Sequence, residues 1–377
     1  MQRKTSAHSW GQPLELRADW HFCNPVRIVA GPLGALAAEV PLARLLLVTS
    51  AGFVRRGLVE RIEAILPGRI VSVFDQVQPN PDVLDLDAAT AQLRRLHVEA
   101  VLAMGGGSVI DAAKLLSISL RSPHARPMAE AIASQQLASG NGSRIPVFAV
   151  PTTSGTGAEV TPFATLWDRT HKKKHSIAGA HVLPSLAFLA PELTLSLPPK
   201  ETLYTALDAC SHSLESLWNR HRTPVSAAFA HESLSLMVKA LPIVLQQPDD
   251  LRHRALVQQA SVMAGLAISQ TRTAVAHAIS YPLTSHHDVP HGLACSFTLP
   301  TLLETNLDML VAAGSERNLL KRVLEMLKSL RIQDHISSRI GAHALMQLIG
   351  EMHAPGRSEN YNGVPIDIPA LLERALR

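Results

Sequence analysis

The sequence predicts an α/β N-terminal half built on a mostly parallel sheet, joined to an all-helical C-terminal half. Between Ala43 and Pro151, short apolar runs alternate with amphipathic stretches, and two glycine-rich loops sit where such runs end. Beyond about Leu197 the apolar period changes to three and four residues, the spacing of a helix face. At 377 residues the chain is long enough for two domains, which this change of texture assigns to 1–196 and 197–377.

The elements follow in order. "ARLLLVTS" (43–50) reads as a buried strand, "FVRRGLVERIEAIL" (53–66) as a helix, "RIVSVF" (69–74) as a strand and "DLDAATAQLRRL" (85–96) as a helix. "VEAVLAM" (98–104) is a third strand that runs directly into "GGGS". "SVIDAAKLLSISL" is then helical, and "IPVFAVPTT" (145–153) is a fourth strand. This β-α-β-α order requires crossovers, and so a parallel sheet with helices on both faces. "LAPELTLSLPPKE" (189–201), rich in proline, reads as the linker. From "LPPKETLYTALDACSHSLESLWN" to "PALLERAL" no stretch reads as a strand.

Composition excludes several classes. Hydrophobic residues at 46% and charged residues at 18% fit a globular chain, not a disordered one. Apolar runs such as Ala43–Val48 break far short of the roughly 20 residues that a membrane span needs. "MQRKTSAHSWGQPLEL" at the N-terminus lacks the apolar core of a secretory leader, so a cytoplasmic protein with no membrane partner is expected. Cys23, Cys210 and Cys295 are odd in number, far apart and without CxxC spacing, which argues against a disulfide framework. The pI is about 9.1, but the net charge is only +4 and is spread along the chain apart from "THKKKH" at 170–175. No nucleic-acid partner is expected, and a mildly positive site for an acidic substrate is the more useful reading.

Gly105, Gly106, Gly107 and Ser108 sit between an apolar run and a helix, where bare backbone amides and a helix N-terminus can approach a phosphate. An ordinary tight turn has the same look, and the run is not GxGxxG. "PTTSGTGAE" (151–159) adds the hydroxyls of Thr152, Thr153, Ser154 and Thr156 to a second glycine loop. Two such loops at the ends of successive strands point to a nucleotide.

"AHAISYPLTSHHDVPHG" (276–292) crowds His277, His286, His287 and His291 into one segment, which suits a metal site, a pH-sensitive surface or a loop that merely carries histidines. In "YTALDACSHSLES", Asp208 and His212 are four residues apart and share a helical face. Alone, such a pair is more often a surface contact. With His277 and His291 it offers one oxygen and three nitrogens to a divalent cation.

The motifs "GGGSVIDAAK", "PTTSGTGAEVTPFATLWD", "LPPKETLYTALDACSHSLES" and "HAISYPLTSHHDVPHGLACSFTLP" together resemble the iron-containing (group III) alcohol dehydrogenases, in the same order and over essentially the whole chain. The resemblance implies an α/β dinucleotide-binding domain for NADPH or NADH and an all-α metal-binding domain for Fe²⁺, Zn²⁺ or another divalent metal. It implies Asp208, His212, His277 and His291 as metal ligands. It carries cofactor contact onto Ser50, Gly105, Gly106, Gly107, Ser108, Asp111, Thr152, Thr153, Thr156 and Lys174, and implies a homodimer paired through "WHFCNPVRIVAG". His286 and His287 match no ligand position.

Two departures stand out. Tyr281 occupies a position where many members carry a proton-relaying histidine, which leaves the proton route to a phenol. Ser50, with Arg55 and Arg56 close behind, replaces an aspartate that binds the adenosine ribose, so NADPH is expected to be accepted. Arg272 and Arg357 are candidate clamps for an anionic aldehyde, and the stretch around them looks like the phosphonoacetaldehyde reductase branch. The implied substrates are small aldehydes and alcohols. Alternatives are a general short-chain alcohol dehydrogenase, a maleylacetate reductase-like enzyme, a metal- and NAD-dependent lyase of related fold, or a non-catalytic sensor.

Overall fold

The computed structural model describes residues 19–134, 144–171, 173–310 and 315–376; the N-terminal stretch read for a leader and Lys172 of the basic run lie outside them. The strands are β1 (Arg27–Ala30), β2 (Leu45–Val48), β3 (Ile70–Phe74), β4 (Ala100–Gly105), β5 (Val147–Pro151), β6 (Phe163–Asp168), β7 (Lys173–Ala178) and β8 (Leu186–Leu189). Six of them form a parallel sheet in the order β1-β8-β5-β4-β2-β3, and β6 pairs antiparallel with β7 in a separate hairpin. Every residue of β2, β4, β5 and β8 is buried, while β1 and β3 at the edges are not. That pattern is the mark of a parallel sheet covered on both faces.

The covering helices are α1 (Leu36–Glu39), α2 (Ala51–Arg55), α3 (Leu58–Ile65), α4 (Val83–Leu93), α5 (Gly107–Ser119) and α6 (Pro127–Ala133). The chain steps from β2 outward to β3, then crosses to β4 on the other side of β2. This reversal places the topological switch point at the carboxyl ends of β2 and β4, where open α/β sheets bind ligands.

The second half is helical: α7 (Pro199–Leu217), α8 (Pro224–Gln246), α9 (Leu251–Thr271), α10 (Val275–His287), α11 (His291–Ala294), α12 (Leu299–Leu310), α13 (Ser315–Ser329), α14 (Ile332–Ser337), α15 (Ala342–Gln347) and α16 (Ile368–Ala375). Local chemistry starts several of these. Pro199 opens α7 at a position where no backbone donor is needed. Thr223 and Ser226 form a reciprocal capping box on α8, and the Asp250 carboxylate accepts from His253 N (3.0 Å) at the start of α9. By length and apolarity α8 could cross a bilayer, but its buried face, including Ala230, Leu234, Met237 and Leu241, joins α7 and α9 in the helical core.

The helix expected over 53–66 is two helices, because Gly57 takes a left-handed φ of +75° between them. The proline-rich 189–201 runs from the end of β8 through a turn at Pro191–Thr194, with Leu193 and Thr194 buried, into α7 at Pro199. The β6–β7 hairpin, containing most of the basic run, had no counterpart in the reading of the sequence.

Separate apolar cores fill the α/β and helical halves, and a small cluster including Val160, Leu183, Val262 and Leu266 joins them. The second glycine loop seals this junction. A side chain at Gly155 would collide with the Thr205 carbonyl of α7, and one at Gly157 (φ +61°) with the backbone of Gly265 in α9. Gln258 of α9 adds a hydrogen bond from Nε2 to Pro151 O (3.2 Å). The loop is thereby seated one helical turn from Asp208.

Candidate active site

Asp208 and His212 project from the same face of α7, His277 comes from α10, and His291 is the first residue of α11. Asp208 Oδ1 is the hub: His212 Nε2 and His277 Nε2 are each 3.4 Å away and His291 Nε2 is 3.9 Å away. Donors about 2.0–2.1 Å from a tetrahedral cation lie roughly 3.4 Å from one another, so the spacing fits a shared metal. His277 Nε2 is buried with no hydrogen-bond partner, a cost that a bound cation would remove. The residues present therefore fit a divalent metal.

A fifth side chain governs this cradle. Glu215, fully buried on α7, receives Ala276 N (2.6 Å) and His277 N (3.2 Å) on Oε1, and its Oε2 lies 2.6 Å from His277 Nδ1. Among the described residues α10 has no side-chain cap of its own at Ala274, and Glu215 takes that role from another helix. The same contact fixes the His277 ring so that Nε2 faces Asp208. Burial pulls the His277 imidazole toward its neutral form, but Glu215 and Asp208 outweigh it and raise it to about 9. Burial lowers His212 against the pull of Asp208. Burial also pushes Asp208 up, but its histidine neighbours hold its carboxyl below the usual range.

His291 reaches the hub because Gly292 lets the turn touch α7: a Cβ there would overlap the Tyr204 carbonyl. His286, by contrast, is exposed and sits 2.8 Å from Glu351 Oε2 through its Nε2, and His287 is exposed at the end of α10.

On the other side lie the loops. Gly106 precedes α5 with no side-chain cap, so the first amides of that helix are open to an anion. Thr152 N donates to Gly105 O (3.0 Å), while a Cβ at Gly107 would overlap the Thr156 side chain and one at Gly106 would press on Thr153. Residues 105–108 and 152–156 thus form one surface at the ends of β4 and β5. Ser50 follows β2 at the same switch point and bridges Gln76. The Arg56 guanidinium stacks on Phe53 (4.4 Å to the ring centre) beside Gly52.

The helix after the first glycine loop holds its neighbours in place. Ser108 Oγ accepts from Asn80 N (3.2 Å), in the segment that leads into α4. Asp111 Oδ2 accepts from Thr165 N (2.9 Å), and the fully buried Lys114 donates to Thr161 O (3.0 Å) and Phe163 O (2.7 Å). These bonds brace the hairpin on which Lys174 stands. Burial, with Arg357 nearby, lowers the Lys174 ammonium to about 8. Its Nζ lies 4.5 Å from the Tyr281 ring centre, and the Arg357 guanidinium lies 4.8 Å from that same centre. Arg357 Nε donates to Thr273 Oγ1 (3.3 Å), next to Arg272. Arg272 is exposed, lies 5.9 Å from the Phe163 ring and has φ +63°, a backbone region that side chains rarely enter.

The reading of the sequence missed Glu215, Lys114 and Cys295, whose Sγ is 3.4 Å from Asp208 Oδ1. Glu215 had a readable signal: it stands seven residues after Asp208 and three after His212, on their helical face.

Glycine loops at a sheet's switch point, opposed by a carboxylate–histidine cradle in a helical half, define a two-part fold that pairs a nucleotide with a metal. The chain belongs to the iron-containing alcohol dehydrogenase family: residues 25–191 match the iron-containing alcohol dehydrogenase model, and residues 202–377 match the C-terminal model of the Fe-containing alcohol dehydrogenase family. It is 40% identical over 233 residues to phosphonoacetaldehyde reductase of Streptomyces viridochromogenes, a match covering 61% of this chain and 59% of that one. The chain thus matches less than two thirds of that relative's length. The structure is similar to sulfoacetaldehyde reductase from Bifidobacterium kashiwanohense in complex with NAD+, with a TM-score of 0.80, 30% identity and coverage of 94% of this chain and 97% of that one. It is also similar to an iron-containing alcohol dehydrogenase from Thermotoga maritima, with a TM-score of 0.77, 25% identity and coverage of 95% and 98%.

Proposed function

We propose that this protein is a metal-dependent NAD(P)H oxidoreductase that interconverts a short aldehyde bearing an anionic group and its primary alcohol, with phosphonoacetaldehyde and 2-hydroxyethylphosphonate as the favoured pair. The observation that carries this reading is the convergence of Lys174 and Arg357 on the Tyr281 ring, one helical turn along α10 from His277. Neither cation has a salt-bridge partner among the described residues. Two cations held together in this way suit a phosphonate or sulfonate. Both named reductases above act, by their names, on short aldehydes with such a head group.

Bound between Asp208, His212, His277 and His291, a divalent metal (Fe²⁺, Zn²⁺ or another) supplies Lewis acidity toward a carbonyl oxygen, and the nicotinamide supplies the hydride. The chain's own residues position the reactants. Gly105–Ser108 and Thr152, Thr153 and Thr156 hold the cofactor phosphates and carboxamide, and Asp111 keeps the Lys174 hairpin in place. Lys174 and Arg357 fix the anionic head, with Arg272 at the outer edge. Burial pushes the Tyr281 phenol well above its ordinary value, so it stays protonated and serves as a proton donor, not a base.

Ser50 puts no carboxylate against a 2′-phosphate, and Arg56 adds a cation beside it, which favours NADPH. We further propose 1–196 and 197–377 as the domain division, a cytoplasmic setting, no nucleic-acid or membrane partner, and a homodimer formed through the open edge of β1. Chelation should abolish NADPH-dependent aldehyde reduction, and Fe²⁺ or Zn²⁺ should restore it. Full activity in metal-free protein would refute the reading.

A further inference from the structure

We propose that Thr273, in the turn between α9 and α10, is a positioning residue for anionic aldehydes: its hydroxyl fixes the Arg357 guanidinium beside Tyr281 with both terminal amino groups free for the head group. The inference rests on the reading of Lys174 and Arg357 given above and adds the residue that holds one of those cations still.

The turn itself is pinned through its backbone. Arg272 sits at φ +63°, a conformation that costs a residue with a side chain energy and persists only where the surroundings impose it. Its carbonyl accepts from Asn219 Nδ2 (3.2 Å) and Thr271 Oγ1 (3.1 Å), and its N–H donates to Ile268 O (2.8 Å). Thr273, the next residue, is thereby set in one place.

The segment 354–362 then docks on it. Asn360 is buried, and its Nδ2 donates to Thr273 O (2.9 Å) and to Gly356 O (2.9 Å). On the other side, Arg220 N donates to Asn360 O (2.9 Å) and Asn362 N to Trp218 O (2.8 Å). Thr273 and this segment are therefore fixed against each other before the Arg357 side chain makes any contact.

Among the described residues that side chain makes one hydrogen bond, from Nε to Thr273 Oγ1 (3.3 Å), and one ring contact, with Tyr281. A hydroxyl orients the guanidinium plane without neutralising its charge, as a carboxylate would. Because Nε is the atom taken, the two terminal amino groups remain as a fork that matches two oxygens of a phosphonate. Arg94 shows the structural alternative: its Nη2 is given to the carbonyls of Ser119, Ser122 and His124. Burial raises the Tyr281 phenol, and the Thr273 hydroxyl pulls it slightly back. That effect meets every substrate alike and cancels in a ratio between two aldehydes.

The test uses the Fe²⁺-loaded full chain and reads the ratio of kcat/KM for phosphonoacetaldehyde to that for an uncharged aldehyde of similar length. Thr273→Val keeps the shape and removes the acceptor, and the ratio should fall about tenfold. Thr273→Ser returns the hydroxyl and should restore the ratio to within about threefold. Should valine not be tolerated, Thr273→Ala reads the same loss. Because Thr273 acts through Arg357, Thr273→Val should lower the ratio no further in an Arg357→Ala background. An unchanged ratio in Thr273→Val, or a full additional loss in that background, would overturn the role of Thr273 while leaving Arg357 in place. A ratio that Arg357→Ala does not move would overturn the head-group reading and this inference with it.

Discussion

Glu215 Oε2 lies 2.6 Å from His277 Nδ1 while Glu215 Oε1 accepts the backbone N–H of Ala276, so one buried carboxylate both caps α10 and aims the His277 imidazole at Asp208. Glu215→Gln keeps the size and removes the charge. Metal affinity should fall by about 10–100-fold, the usual cost of losing a partner behind a ligating histidine. Competition against a chromogenic chelator measures it. Unchanged affinity would reduce Glu215 to a helix cap.

Gly292 is required by contact, not by flexibility, because a Cβ would meet the Tyr204 carbonyl. Gly292→Ala should lose about 1–3 kcal/mol of stability through overpacking. It should also release His291 from the cradle. Denaturant unfolding and metal stoichiometry report the two effects separately.

Lys174 titrates at about 8, lowered first by burial and then by Arg357. Below that pH it is charged and, on the proposed function, holds the anionic head group; above it the charge is lost. KM for an anionic aldehyde should therefore rise as pH passes 8, while KM for an uncharged aldehyde stays level. Lys174→Met should abolish the difference, and a flat KM for both substrates would remove Lys174 from head-group binding.

On the proposed function, Ser50 and Arg56 set cofactor choice. Ser50→Asp places a carboxylate where a 2′-phosphate would lie, and like charges brought together cost enough to shift kcat/KM from NADPH toward NADH by about tenfold or more. Arg56→Ala should weaken NADPH alone. Equal effects on both cofactors would place the adenosine ribose elsewhere.

How far the sequence discloses this site depends on where each partner sits in the chain. Asp208 and His212 share one helix, and their spacing alone shows that they share a face. The two glycine loops were legible because each ends an apolar strand. Glu215 shares that same face, but its role was not legible: its partner lies 62 residues away, and capping one helix from another adds no local pattern to the spacing. The β6–β7 hairpin escaped for a different reason. Half of β7 is exposed, and Ile177 is its one buried residue, so the apolar alternation that marks a strand is nearly absent. The break at Gly57 was visible only as a glycine inside an otherwise regular helical pattern, which a helix can tolerate.

The measurement that bears most directly on the central claim compares NADPH oxidation by Fe²⁺-loaded protein, under anaerobic conditions, with phosphonoacetaldehyde and with an uncharged aldehyde of similar length. The cationic pair on Tyr281 predicts a kcat/KM at least about a hundredfold higher for the phosphonate, roughly 2.7 kcal/mol of transition-state binding. Arg357→Ala should erase most of that gap. Equal rates on the two aldehydes would contradict the account and leave a general short-chain alcohol dehydrogenase, with Lys174 and Arg357 serving only to pack Tyr281.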